Sequence, residues 1–167
     1  MAALLDHVDP DGLLEFSVVF TDRSLNHMSA SFKQVMIDIS DMLKQVYCAD
    51  AVAIVPGGGT FGMEAVARQF GRDSKVLVVR NGWFSYRWSQ IFEAGGFTAE
   101  THVIKARQSD NGRQAAFSPA PIDAVVAQIR AEKPDVVFAP HVETSAGVIL
   151  PDAYITALAA AAHDVGA

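Results

Sequence analysis

Between residues 31 and 47, apolar side chains recur at Phe32, Val35, Met36, Ile39, Met42, Leu43 and Val46. That three- and four-residue spacing lines one face of a helix. Ser31 with Gln34 three positions on fits a capping box at its start. The pattern then changes. Residues 51–55 form a short apolar run that predicts a buried strand, and 61–70 predict a helix stopped by Gly71. Residues 75–80 (KVLVVR) predict a second strand, 84–94 a helix ended by Gly95 and Gly96, and 98–104 a third strand. A polar loop over 105–119 carries an Asp-Asn-Gly turn at 110–112. Beyond it come a helix over 122–132, a strand over 135–139, and a helix over 152–163 with Asp152 as its N-cap. Strands alternating with helices predict an α/β fold, a mostly parallel sheet with flanking helices. No repeat or linker divides the chain, and the alternation calls for a further strand after Ala167.

Composition narrows the partners. The chain of 167 residues has 19 acidic and 13 basic side chains, a net charge of −6, which speaks against a nucleic-acid or anionic-membrane surface. Cys48 is its one cysteine, so no intrachain disulfide or CxxC metal site forms, and a cytoplasmic setting is expected. The first residues, MAALLDHVDPDG, carry acids where a signal peptide needs a basic region. No apolar stretch reaches the length of a membrane-spanning helix.

The candidate chemistry starts at IVPGGGTFGMEAV, residues 54–66. Three glycines followed by a threonine at a strand-to-helix joint let an anion approach the free N–H groups of the helix's first turn. Gly58, Gly59 and Thr60 therefore form a candidate phosphate cradle. A tight turn with close helix–sheet packing is the plain alternative. Gly57, Gly59 and Gly62 also satisfy GxGxxG, the dinucleotide fingerprint. That fingerprint expects an acid at the end of the second strand. Here the strand ends Val79-Arg80-Asn81-Gly82, where Arg80 suits a 2′-phosphate, so an NADP-binding oxidoreductase stays open. Next, Trp83 and Phe84 offer an aromatic face to a flat ring, or start the helix as core residues. Finally, Ala139 to Gly147 (APHVETSAG) puts polar side chains after the fourth strand. Ligands of open α/β sheets bind at such carboxyl ends, so all three segments are expected to converge on one ligand.

Taken together, PGGGTFGMEA, RNGWFS and HVETSAGVILP resemble the class V aminotransferases of the fold-type I pyridoxal-phosphate enzymes, in particular the alanine–glyoxylate and serine–pyruvate aminotransferases. The resemblance runs from about Ser31 onward. It implies an N-terminal active-site segment over 1–30 and an incomplete cofactor-binding large domain over 31–167. It further implies pyridoxal 5′-phosphate as cofactor, with its phosphate on Gly58, Gly59 and Thr60. Phe84, with Trp83 beside it, would stack on the pyridine ring, and Thr144 would stand near the ring's phenolic oxygen. His141 and Glu143 read as supports. Asn26 and His27 would touch the substrate, although the segment around them lacks the family's Gly-Pro-rich opening. The implied reaction is transamination between alanine or serine and glyoxylate or pyruvate, in a homodimer. The family's Schiff-base lysine and pyridine-nitrogen aspartate are expected beyond Ala167. Lys33, Lys44, Lys75, Lys105 and Lys133 do not match the lysine's context, so this chain alone is expected to be inactive. A non-catalytic fragment is the third alternative.

Overall fold

The computed structural model describes His27 and residues 30–167. They fall into two units, divided between Val55 and Pro56. Within the first, α1 (Ala30–Tyr47) is the helix its periodicity predicts, and none of its residues is buried. Gln34 bonds Asp38 one turn along at 2.7 Å. Residues 51–55 are not a strand and pair with none among the described residues. An apolar run becomes a strand only through ladder partners, and this run lacks them.

The second unit starts its regular structure with α2 (Gly59–Phe70), followed by β1 (Lys75–Arg80), α3 (Trp83–Gly95) and β2 (Glu100–Lys105). A ribbon of β3 (Arg107–Gln108) and β4 (Phe117–Ser118) leads to α4 (Ile122–Glu132) and β5 (Val136–Phe138). A second ribbon, β6 (Val142–Glu143) with β7 (Val148–Ile149), precedes α5 (Asp152–Val165). The sheet runs β2-β1-β5, all parallel, with Lys75 opposite Glu100 and Arg80 opposite Lys105 in register.

β1 is buried on both faces, which is why it reads as an unbroken apolar run. Leu77 and Val79 face a cluster with Val125, Ile129, Leu158 and Ala161 from α4 and α5. Val76 and Val78 face Ala67, Phe92, Phe97 and Phe138 on the other side, toward α2 and α3. Phe92 sits edge-on to Phe138 at 5.1 Å and to Phe97 at 5.9 Å. Helix ends follow local chemistry. Gly96 closes α3 in the left-handed conformation, and Lys133 takes the same role for α4 with φ 47°. Pro151, not Asp152, is the N-cap of α5; Asp152 stands in the first turn, where its charge suits the helix dipole. No helix of the described residues is long and apolar enough to cross a membrane.

Candidate functional site

The N-termini of α2 and α3 are built in opposite ways. At α2, Gly57 takes φ 124°, where a side chain would also strike the Phe61 ring. Gly58 is the N-cap and supplies no side chain to the first turn. A Cβ built on Gly58 or Gly59 would meet nothing within 4 Å, and both glycines and Thr60 are exposed. The first-turn N–H groups of a helix have no partner within it. At α2 no side chain caps them, and the Phe61 N–H turns back to the Gly58 carbonyl at 2.9 Å. The turn follows no strand among the described residues, so the premise of a strand's carboxyl end does not hold here.

The N-terminus of α3 is filled. The Glu143 carboxylate, fully buried, accepts the N–H groups of Phe84 at 3.1 Å and Ser85 at 2.8 Å. It also accepts the hydroxyl of Ser85 at 2.6 Å and that of Ser145. Those hydroxyls accept in turn: Ser85 Oγ from the N–H of Asn81 at 2.8 Å, Ser145 Oγ from that of Trp83 at 2.8 Å. Burial pushes the Glu143 carboxyl up, but the hydrogen bonds from Ser145, Ser85 and the two N–H groups outweigh it and hold it below its ordinary value. Glu143 thereby pins the turn around Thr144 against the start of α3.

A side chain that the sequence reading left out joins the two helices. Arg87, one turn beyond Phe84, donates to Thr60 Oγ1. Its guanidinium carbon stands 5.3 Å from the centre of the Phe84 ring. No acidic partner for Arg87 stands among the ion pairs of the described residues. The signal available in the sequence was helical spacing, which puts residue 87 on the same face as residue 84.

The three segments therefore meet at the start of α3, Thr60 through Arg87 and residues 143–145 through the Glu143 clasp. Phe84 and Trp83 are both exposed, at 42% and 56%, so neither is a core residue. Thr144 is exposed, and no side-chain bond ties it to Thr60. Thr60 lines a groove between α2 and α3 with Glu64, Arg68, Arg87 and Gln90. Trp83 and Arg80 line a different cavity. One ligand spanning the glycine turn and Arg80, as the NADP alternative requires, would have to cross between them. His27 lies in an exposed turn, whereas Asn26 falls outside the described residues.

No family model matches the chain. Among curated proteins it is similar to a 2-aminoethylphosphonate–pyruvate transaminase of Pseudomonas putida, 29% identical over 133 residues, which is 78% of this chain and 32% of that protein. It is also similar to a protein named soluble hydrogenase, small subunit, of Synechococcus sp., 31% identical over 75% of this chain and 31% of that one. Among solved structures it superposes on ureidoglycine–glyoxylate aminotransferase from Bacillus subtilis with a TM-score of 0.68 at 22% identity, covering 86% of this chain and 34% of that one. Alanine–glyoxylate aminotransferase from Nostoc sp. gives a TM-score of 0.63 at 20% identity, over 85% of this chain and 35% of that one. The chain spans about a third of the length of the relatives it matches. The segment has the α/β fold, a parallel sheet with flanking helices, of part of those solved aminotransferases.

Proposed function

We propose that the protein carrying this segment performs pyridoxal 5′-phosphate-dependent transamination. An amino group would pass from alanine or serine to glyoxylate or pyruvate, in a homodimer and in the cytoplasm. The observation that carries the reading is the contrast between the two helix N-termini. The protein's own carboxylate occupies α3, whereas α2 has no side-chain cap and stands beside a hydroxyl, a cation and an exposed ring. Those groups fit a flat, phosphorylated cofactor. Gly58 and Gly59 would offer backbone N–H groups to the phosphate, Thr60 its hydroxyl, and Arg87 its charge. Phe84 would set the plane of the ring, and Thr144 would donate to the ring's oxygen. When bound, the cofactor supplies the electron sink for breaking bonds at the amino-acid α-carbon. Asn26 and His27 are assigned to the substrate. Pyruvate and glyoxylate as acceptors are supported by the names of the relatives.

Equilibrium titration with pyridoxal 5′-phosphate tests the assignment. Saturable binding should weaken about fivefold or more in both Thr60→Val and Arg87→Gln, each of which removes a hydrogen bond to a charged group. Binding untouched by either change would overturn the site, and preferential binding of NADPH would favour the oxidoreductase alternative. Turnover by these 167 residues alone is not expected. None of the five lysines lines the groove with Thr60, and Lys75 is engaged by Glu100 at 3.4 Å and Glu132 at 3.3 Å. Alanine–glyoxylate turnover that disappears on changing one of those lysines would refute that expectation.

A further inference from the structure

The two ends of the β1–β2 pair are charged differently. At the amino ends Lys75 stands opposite Glu100, and the two form an ion pair at 3.4 Å. At the carboxyl ends Arg80 stands opposite Lys105. Like charges on neighbouring strands repel one another. In a chain with more acids than bases, an acid nearby would be the simple remedy, yet neither cation has one among the ion pairs of the described residues. Among the described residues Arg80 meets neutral groups, the Ser89 hydroxyl at 3.4 Å and the Tyr86 ring at 4.9 Å.

Both cations line one cavity of about 430 Å³, with Trp83, Tyr86 and Phe117 among its walls. That is the size of a small-molecule site, at the end of a parallel sheet where ligands bind. Trp83 and Phe117 leave 56% and 47% of their surface open. Asn81, which follows Arg80 and borders the same cavity, is 2% exposed, and neither its Oδ1 nor its Nδ2 has a partner. A buried amide with both ends unsatisfied is costly and calls for a missing partner. None of Gly58, Gly59, Thr60, Phe84 or Thr144 lines this cavity.

We infer that this cavity binds a compact organic anion, its carboxylate or phosphate held between Arg80 and Lys105 and its apolar body against Trp83 and Phe117. The site does not rest on the pyridoxal phosphate reading. The anion would pair with both cations, and the aromatic walls select against bare inorganic ions.

Phenyl phosphate is the probe, and intrinsic fluorescence the readout. The chain has two tryptophans; Trp83 lines the cavity, whereas Trp88, partly buried, packs on Phe138 at 4.6 Å against the core. Phenyl phosphate should quench saturably, with affinity falling as salt rises. Inorganic phosphate and benzyl alcohol, each lacking one half of the ligand, should bind about tenfold more weakly or worse. Lys105→Gln and Arg80→Gln should each weaken binding about fivefold or more, and Lys44→Gln, a cation on α1, should not. Should Arg80→Gln unfold through its loss of Ser89 and Tyr86, Lys105→Gln at the exposed strand end still decides. Absence of saturable quenching, or full affinity in Lys105→Gln, overturns the site. Loss of phenyl phosphate binding in Thr60→Val would also overturn it, because the anion would then belong to the glycine turn. Loss of pyridoxal phosphate alone in that variant leaves two independent sites.

Discussion

Four donors converge on the Glu143 carboxylate, two of them backbone groups 58 and 59 positions away in sequence. Glu143→Gln keeps the shape but turns one oxygen into a donor that faces other donors. Urea unfolding at neutral pH should show a loss of about 2–4 kcal/mol, the range for breaking a buried, charge-assisted network. Its pH dependence follows from the lowered pKa. The folded value lies below the unfolded one, so the contribution is complete above the unfolded value and is lost as pH falls through the folded value. Wild type should therefore lose stability below the ordinary glutamate range, and Glu143→Gln should lose less over that interval. A parallel acid decline in both would separate Glu143 from the acid response. Gly82 tests the same clasp sterically. Its Cβ would stand 2.5 Å from Ser145 Oγ and 2.7 Å from Glu143 Cγ. Gly82→Ala should cost about 1–3 kcal/mol in the same assay, as overpacking does. At this scale the sequence showed Glu143 in a polar cluster after a strand. It could not show the partners, because nothing local ties residue 143 to residues 84 and 85.

Elements read best where their hydrophobic pattern was complete. The strand over 75–80 and the helix over 122–132 have the bounds that their patterns predict. The run at 51–55 looked as strand-like as β1, but a strand depends on neighbours that pattern alone does not specify. The helix after the glycines begins at Gly59 rather than residue 61, so two of the cradle residues lie inside its first turn. That placement separates stability from binding. Gly59→Ala puts a methyl into open space at a helical position, and should stabilise the fold by up to about 1 kcal/mol. The same methyl would crowd a phosphate on the first-turn N–H groups, so pyridoxal phosphate affinity should fall. A thermal melt and a cofactor titration on one sample check both directions. Higher stability with unchanged cofactor affinity would remove the glycine turn from the site.

At the scale of the whole molecule, periodicity announced α1 clearly, yet it says only that a stripe exists and not what covers it. Every buried hydrophobic side chain among the described residues lies between Ala67 and Ala162, within the second unit. There β1 is enclosed by one cluster toward α4 and α5 and another toward α2 and α3. A strand sealed on both faces couples the two clusters, because unfolding either exposes side chains of the strand that supports the other. Residues 56–167 made alone should therefore unfold in one cooperative urea transition, with far-UV circular dichroism and tryptophan fluorescence changing together. Phe92 is the sharpest probe of that coupling. It is 2% exposed and has ring contacts with Trp88, Phe97 and Phe138. Phe92→Ala should cost about 3–5 kcal/mol, the range for emptying an aromatic site in a packed core. The loss should be the same in the 167-residue chain and in residues 56–167. Two separated transitions, or a Phe92→Ala cost that appears only in the longer chain, would show that the second unit does not hold its own core.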